Sequence, residues 1–203
     1  MIKNIIFDLG GVLIDLKPEN YLKHIGLDEE EIPLFKKLIW GSKEWAKTDT
    51  GDLNYTQFTD IICENNPAYA KKLRYVLENK DNSFILSEIP ENCVYFRELK
   101  NRGFKVYFLS NVNEVDLKYD MENFSIFKLV DGAVYSSEVH CAKPEKRCYE
   151  ILLQKYNLIP EECIFIDDNL VNVEVANSIG LKSIYFNNLE ETKQKIENII
   201  ESF

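Results

Sequence analysis

The chain has 203 residues, of which 45% are hydrophobic, enough for one sizeable core or for a core domain with a smaller insertion. A formal net charge of −10 repels nucleic acid and anionic membranes, so neither is an expected partner. Five cysteines without CxxC spacing argue against a disulfide framework or a zinc site, and together with the absence of a signal-peptide pattern or a long apolar span they predict a cytoplasmic protein.

The first predicted element is a short apolar strand that stops at a carboxylate. The run over residues 5–7 is typical of a buried strand, and glycines break it after Leu9. Asp8 is therefore expected at the C-terminal end of a central strand, with the backbone N–H groups of Leu9 and Gly10 beside it, at the edge where open parallel sheets bind ligands. There Asp8 can act as a nucleophile or hold a metal, although it can also simply cap a turn.

The region from residue 17 to residue 88 shows helical spacing of apolar residues and no convincing buried strand. Asn54 or Thr56 can cap one of its helices, and turn residues mark 48–52 as a loop. We predict an all-helical insertion that packs as a bundle. Its apolar stripes are Tyr21, Leu22 and Ile25; Ile32, Phe35, Leu38 and Ile39; Phe58, Ile61 and Ile62; and Leu73, Val76 and Leu77.

From Pro90 onward, predicted helices and strands alternate. The predicted strands are 104–109, a short strand within 129–135, 163–166 and 182–186, and the predicted helices are 91–102, 113–123, 143–156, 169–179 and 189–200. Such alternation predicts right-handed βαβ crossovers and a parallel sheet, hence the α/β class. We expect an α/β core formed by residues 1–15 and 89–203, with the helical insertion over residues 16–88.

Three predicted strands end in polar residues: Asp8, Ser110–Asn111 and Asp167–Asp168. Because the C-terminal ends of parallel strands lie at one edge of a sheet, these groups are expected to converge there, with Lys143 at the start of a helix. Crowded carboxylates need a cation, and Mg²⁺ suits oxygen ligands. The predicted phosphate donors are Ser110, Asn111, Lys143 and the amides of Leu9 and Gly10. This arrangement predicts phosphoryl transfer.

Each of these elements also has an ordinary structural interpretation. Ser110–Asn111 can be a turn or a helix cap, Lys143–Pro144 can be a helix opener, and Asp167–Asp168 before an asparagine can be an N-cap cluster. Their joint placement favours a functional site.

The motifs together resemble those of the haloacid dehalogenase-like (HAD) superfamily. They fall in order at residues 7–13, Phe108–Asn111, Lys143–Pro144 and 165–169, with Asn172 following. The resemblance covers the whole chain and implies a Rossmann-like core with a small helical cap, in which Trp45 and residues 49–53 resemble a substrate-facing loop. The first motif is most similar to the branch that includes α-D-glucose-1-phosphate phosphatase and the N-terminal phosphatase domain of soluble epoxide hydrolase.

The resemblance also implies roles for individual residues. Asp8 would be the nucleophile, forming an aspartyl-phosphate that water then hydrolyses. The implied metal ligands are Asp8, the Gly10 carbonyl and Asp168, with Asp167 acting through water or orienting Asp168. The implied phosphate ligands are Ser110, Lys143 and Asn111.

One departure concerns proton transfer. Most phosphatases of this superfamily have a second Asp two residues after the nucleophile, where this chain has Gly10. Asp15, a cap residue or His140 are alternative proton carriers, while Cys141 lacks a matched base. The turnover of a substrate with a good leaving group would be lowered less by the missing acid/base residue.

These observations predict a Mg²⁺-dependent phosphatase, monomeric or homodimeric, that acts on a small phosphorylated metabolite such as a sugar phosphate. One alternative is a metal-free 2-haloacid dehalogenase, although its first motif would read Asp-x-Tyr. Another is a catalytically weak domain that binds a phosphometabolite or a protein partner. A phosphomutase is less favoured, because returning the phosphoryl group to a sugar depends still more on the missing acid/base residue.

Overall fold

The computed structural model describes residues 1–201, so the last two residues of the predicted core domain, 202 and 203, lie outside the described residues. The strands are β1 (Asn4–Phe7), β2 (Ile14–Leu16), β3 (Leu86–Glu88), β4 (Lys105–Ser110), β5 (Gly132–Tyr135), β6 (Cys163–Asp167) and β7 (Lys182–Tyr185). The first five helices are α1 (Pro18–His24), α2 (Ile32–Leu38), α3 (Lys43–Asp49), α4 (Tyr55–Asn65) and α5 (Ala70–Glu78). The others are α6 (Pro90–Asn101), α7 (Glu114–Asn123), α8 (Ser136–Val139), α9 (Lys146–Lys155), α10 (Leu170–Ser178) and α11 (Leu189–Glu201). Short 3₁₀ helices span Asn82–Phe84, Ser125–Lys128 and Pro160–Glu162.

Five strands form one parallel sheet in the order β5-β4-β1-β6-β7. This order confirms the predicted α/β class and places β1 at the centre. Phe7 is level with Phe108 of β4 and Ile166 of β6. The Asp8 N–H donates to the Ile166 carbonyl at 2.9 Å, so Asp8 directly follows the central strand, as predicted.

Successive residues of the central strands enter two apolar clusters, one on each face of the sheet. Ile5 and Phe7 belong to one cluster and Ile6 to the other. A sheet buried on both faces needs continuous apolar strands, which explains why these segments are apolar throughout. The larger cluster continues into the helical insertion through Tyr21 and Phe35, so the insertion and the sheet share a core.

A small antiparallel pair, β2 with β3, joins the two ends of the insertion. Ile14 lies opposite Glu88, and Leu16 lies opposite Leu86. The prediction that the insertion over residues 16–88 is all-helical is therefore wrong for β3. Each of these strands has three residues, too few for a period-2 pattern to be visible in the sequence. The division into a core and a cap stays a prediction.

The helix termini follow local capping chemistry in most places. Asn54 caps α4 through a capping box with Gln57, which decides between the two predicted caps. The predicted helices 91–102, 113–123, 169–179 and 189–200 are confirmed to within two residues at each end. The predicted loop over 48–52 is wrong at its start, because α3 continues to Asp49. Within residues 1–201, no helix combines the length and apolar character needed to cross a bilayer.

Candidate active site

Lys143 joins the ends of two neighbouring strands. Its Nζ lies 2.9 Å from Asp8 Oδ1 and 2.7 Å from Asp167 Oδ2. The three residues are buried, with Asp8 9%, Lys143 5% and Asp167 0% exposed. A buried charge is costly unless it is paired, so the cation and the two carboxylates stabilise one another. We treat these three side chains as one electrostatic unit.

Both carboxylate oxygens of Asp167 accept hydrogen bonds. Its Oδ1 accepts the Asn169 N–H at 2.8 Å, and the Asn172 amide donates to both carboxylate oxygens at 3.0 and 3.1 Å. With Lys143 on Oδ2, both oxygens already have donors. In this arrangement Asp167 orients Lys143, whereas the sequence predicted a role towards the metal or Asp168.

Asn111 fixes the backbone of Lys143. Its side-chain amide donates to the Lys143 carbonyl at 2.8 Å and accepts the Lys143 N–H at 2.8 Å. The Lys143 carbonyl accepts from the Asn111 side chain, and α9 begins only at Lys146. The prediction that Lys143 opens the helix is therefore wrong. The predicted role of Asn111 as a phosphate ligand is untested, but its side chain is already engaged.

The turn after β1 depends on Gly11. This residue has a φ of +71°, and a Cβ atom there would lie 2.2 Å from Asp168 Oδ2. Only glycine permits both the left-handed conformation and this approach. Gly11 was not among the predicted site residues, although the Gly10–Gly11 pair after Leu9 is a visible signal in the sequence.

The two neighbouring backbone positions differ in their present contacts. The Leu9 N–H donates to Asp8 Oδ1 at 2.7 Å, so the predicted phosphate donor currently faces the carboxylate itself. Gly10 is exposed, and a Cβ atom on it would meet nothing within 4 Å. Its roles as metal ligand and phosphate donor stay predictions.

Burial dominates the electrostatics of the site. It raises the pKa of Asp8 to about 7, with Lys143 opposing the rise and Asp167 adding to it. Burial alone would lower the pKa of Lys143, but Asp8 and Asp167 outweigh it and raise that pKa. Burial and then Asp167 also raise the pKa of Asp168. The unit thus has more carboxylates than cations, and a further positive charge would stabilise their ionised forms.

Asp8, Asp167 and Asp168 offer oxygens that all lie within 4.8 Å of one another. Three hard oxygen donors at a sheet edge fit Mg²⁺ better than a thiolate-preferring or imidazole-preferring metal. Asp168 is exposed, and the contacts described above use only Oδ1 of Asp8. The residues present therefore fit a divalent cation held chiefly by Asp8 and Asp168.

A cavity of about 90 Å³ extends from this edge towards the helical insertion. Gly10 and the buried Ser110 line it together with Asn111 and Trp45. Three further carboxyl groups also line it: Asp49, Asp116 and Asp120.

Around this cavity lies a polar cluster that the sequence analysis missed. We call it the insertion cluster; it consists of Asp49, Lys80, Asn82, Asn113, Asp116 and Asp120. Lys80 forms a buried ion pair with Asp116, which also accepts hydrogen bonds from the amides of Asn82 (2.8 Å) and Asn113 (2.9 Å). Asp120 is 3% exposed, and its Oδ1 has no hydrogen-bond partner. Asn113 and Asp116 show a helix-cap spacing in the sequence, but Lys80 carries no local signal.

The other candidate proton carriers are engaged elsewhere. His140 Nδ1 lies 2.9 Å from the Thr50 carbonyl oxygen, and the residue lines a separate cavity of about 340 Å³. Asp15 forms an ion pair with Lys17. Burial raises the pKa of the Cys141 thiol, which disfavours the reactive thiolate.

Comparison with known proteins identifies the family. A family model for haloacid dehalogenase-like hydrolases matches residues 2–180. The chain belongs to this family. A D-ribitol-5-phosphate phosphatase of Bacteroides thetaiotaomicron is 22% identical over 213 residues, covering 100% of both chains. The drimenol cyclase drtB of Aspergillus calidoustus is 23% identical over 214 residues, and this chain spans 37% of its length. The relatives of this hydrolase also include (S)-2-haloacid dehalogenases.

A solved structure agrees with the fold. A HAD family enzyme of Bacteroides thetaiotaomicron, in complex with magnesium and inorganic phosphate, superimposes with a TM-score of 0.68 at 26% identity. The match covers 91% of this chain and 93% of that one. The Rossmann-like HAD core that the motifs implied is therefore confirmed.

Proposed function

We propose that this hydrolase is a Mg²⁺-dependent phosphatase that hydrolyses a small phosphorylated metabolite, a sugar or polyol phosphate, through an aspartyl-phosphate on Asp8. The observation that carries the proposal is the buried Lys143 contact to Asp8 and Asp167, with Asp168 close to both carboxylates. An anionic substrate can approach this acidic edge only if positive charge balances it, and Lys143 provides one such charge.

Mg²⁺ would be held by Asp8, Asp168 and the Gly10 carbonyl, and when bound it would neutralise negative charge on the phosphoryl oxygens. A carboxylate oxygen of Asp8 attacks phosphorus, and the bond to the leaving oxygen breaks. Lys143 and the Ser110 hydroxyl hold the transferring group, while Asn111 and Asp167 keep Lys143 in position. Water then attacks phosphorus and releases Asp8 and inorganic phosphate, which divides one difficult displacement into two easier ones.

The lining of the cavity favours a hydroxylated, uncharged leaving group. The charge of Asp116 is matched by Lys80, and the buried Asp120 has an oxygen without a partner. The carboxyl group of Asp49, which lines the same cavity and is only partly buried, can accept a hydrogen bond from a substrate hydroxyl. A second phosphate or a carboxylate on the substrate would instead face the acidic groups of the insertion cluster.

Phosphate release from a panel of sugar and polyol phosphates, with Mg²⁺ and with chelator, tests the proposal. Because Asp8 is the nucleophile, Asp8→Asn should lower turnover about 10³-fold or more. Asp15→Asn is the matched control, since Asp15 is paired with Lys17, and it should retain activity. No turnover by the wild type, or equal turnover by Asp8→Asn, would contradict the proposal.

Two outcomes of this experiment would favour the other functions. Turnover of a 2-haloacid that persists in chelator would indicate a dehalogenase. This function is the second candidate because (S)-2-haloacid dehalogenases are among the relatives. Binding of a phosphometabolite without phosphate release would indicate a non-catalytic domain.

A further inference from the structure

Departure of an alkoxide leaving group requires a proton, and among the described residues of the sheet-edge site none is free to donate it. Lys143 is bonded to Asp8 and Asp167, and the position two residues after Asp8 is a glycine without a side chain. A positioned general acid typically contributes about 10²–10⁴-fold to such a step. A donor is therefore expected on another wall of the cavity.

Asp49 is the accessible carboxyl group on that cavity. Of the three acidic residues of the insertion cluster, Asp116 is 4% and Asp120 is 3% exposed, whereas Asp49 is only partly buried. Asp116 is also occupied by Lys80 and two amides. Asp49 thus combines a place in the cavity beside Gly10 and Ser110 with access to a ligand.

The backbone of Asp49 is fixed against the end of β4. Its carbonyl accepts a hydrogen bond from the Ser136 hydroxyl. The same hydroxyl oxygen accepts the N–H of Val112 at 2.9 Å, and Val112 lies two residues after Ser110. One side chain therefore links the end of α3 to the loop that follows the predicted phosphate site.

On the basis of the proposed phosphatase activity, we propose that Asp49 is the general acid and base of this site, supplied by the helical insertion. In the first step the Asp8 carboxylate bonds to phosphorus, the bond between phosphorus and the leaving oxygen breaks, and that oxygen takes its electron pair and the proton of the Asp49 carboxyl. In the second step the Asp49 carboxylate accepts a proton from the attacking water. The bond from phosphorus to Asp8 breaks, and alcohol and inorganic phosphate are the products.

The surroundings of Asp49 suit both roles. Burial, and then the negative charge of Asp116, raise the pKa of Asp49 to about 7, while Asn113 and Lys80 oppose the rise. From α8 and the residue after it, the neighbouring groups are the Ser136 hydroxyl and the His140 ring, which faces the Thr50 carbonyl. A group that titrates near neutral pH can both give and accept a proton under the same conditions.

The test compares two substrates that share a phosphate but differ in their need for a proton: an alkyl phosphate such as glycerol phosphate, and p-nitrophenyl phosphate. Asp49→Asn should lower kcat for the alkyl phosphate about 10²-fold or more, and kcat for the aryl phosphate much less, since a nitrophenolate leaves without a proton. The matched control is Asp60→Asn, a carboxylate on the surface of the same insertion that is paired with Arg74. It should leave both rates unchanged.

A second variant tests whether a carboxyl group at position 10 can replace that of Asp49. A Cβ atom at position 10 would meet nothing within 4 Å, so Gly10→Asp placed in the Asp49→Asn protein should restore at least about 10-fold of the lost alkyl turnover. The fall in wild-type alkyl turnover above about pH 7, where Asp49 loses its proton, should be absent in Asp49→Asn.

The outcomes separate the two proposals. Absence of turnover by the wild type on either substrate overturns the phosphatase proposal and this inference with it. Wild-type turnover of both substrates with an Asp49→Asn loss that is equal for the two, or absent for both, overturns only the role of Asp49.

Discussion

Two buried lysines of this molecule meet carboxylates in different ways. Lys143 bridges two carboxylates, Asp8 and Asp167, at the edge of the sheet. Lys80 pairs with Asp116, while Asp49 and Asp120 lie nearby and form no ion pair within residues 1–201. After burial, the strongest influence on Asp8 is the attraction of Lys143, whereas on Asp49 and Asp120 it is the repulsion of Asp116.

This difference separates two functions of buried acids. At the sheet edge, a cation in direct contact favours the ionised carboxylate that a nucleophile requires. In the insertion cluster, a surplus of acids favours protonated carboxyl groups, which can donate hydrogen bonds or protons. Burial raises the pKa of Asp8 and of Asp49 alike to about 7, so what distinguishes the two acids is the sign of the charge next to them.

We expect the largest effect when Lys80, the cation of the insertion cluster, is removed. Lys80→Met leaves Asp116 buried without its ion pair, so the free energy of unfolding should fall by about 3 kcal/mol. Lys36→Met, which removes a partly exposed pair with Glu19, is the control and should cost much less. Denaturant unfolding measures both. Equal losses would show that the Lys80 pair gains nothing from its burial.

We expect an intermediate effect from a substitution at the sheet edge, beside the proposed metal ligand Asp168. Gly11→Ala places a Cβ atom against Asp168, so the carboxylate must move, and Mg²⁺ affinity measured by calorimetric titration should fall about 10–100-fold. Gly26→Ala is the matched control: its φ is +79°, but an added Cβ atom meets nothing within 4 Å. Both variants should lose about 1–2 kcal/mol of stability from the left-handed conformation. An affinity loss of the same size in both would contradict the proposed position of Asp168 in the metal site.

The smallest effect concerns pH. Burial, and then Asp116, raise the pKa of Asp120 to about 8 from 3.8, so between these values the folded protein holds a proton that the unfolded chain releases. Stability from this group is present at low pH and is lost as the pH rises towards 8. Asp120→Asn removes this dependence. From pH 6 to pH 7, its free energy of unfolding should gain at most about 1.4 kcal/mol relative to the wild type.

Urea unfolding at the two pH values provides the measurement for Asp120→Asn. Asp60→Asn, on the surface and bonded to Arg74, is the control and should keep the wild-type dependence on pH. If Asp120→Asn also kept it, Asp120 would not be the protonated group that the insertion cluster implies.

The predictable parts of the fold and the site share a physical basis. β1, β4 and β6 are apolar runs that end at polar residues, and a parallel sheet brings such ends together, so Asp8, Ser110 and Asp167 could be placed at one edge. The β2–β3 pair could not be predicted, because three-residue strands carry no periodic signal and depend on a partner about seventy residues away. The start of α9 was predicted three residues too early, because Lys143–Pro144 is a local helix-opening pattern, whereas the Lys143 backbone bonds to Asn111 of another element.

Sequence alone determined the family, the alternation of strands and helices, and which residues end the central strands, because apolar period and turn chemistry are local properties of the chain. Only the tertiary structure decided that Lys143 joins Asp8 to Asp167, that Gly11 makes room for Asp168, and that Lys80 and Asp116 meet beside Asp49. Pairs such as Lys80 and Asp116 are 36 residues apart, and no local pattern states which buried charges will face each other after the chain has folded.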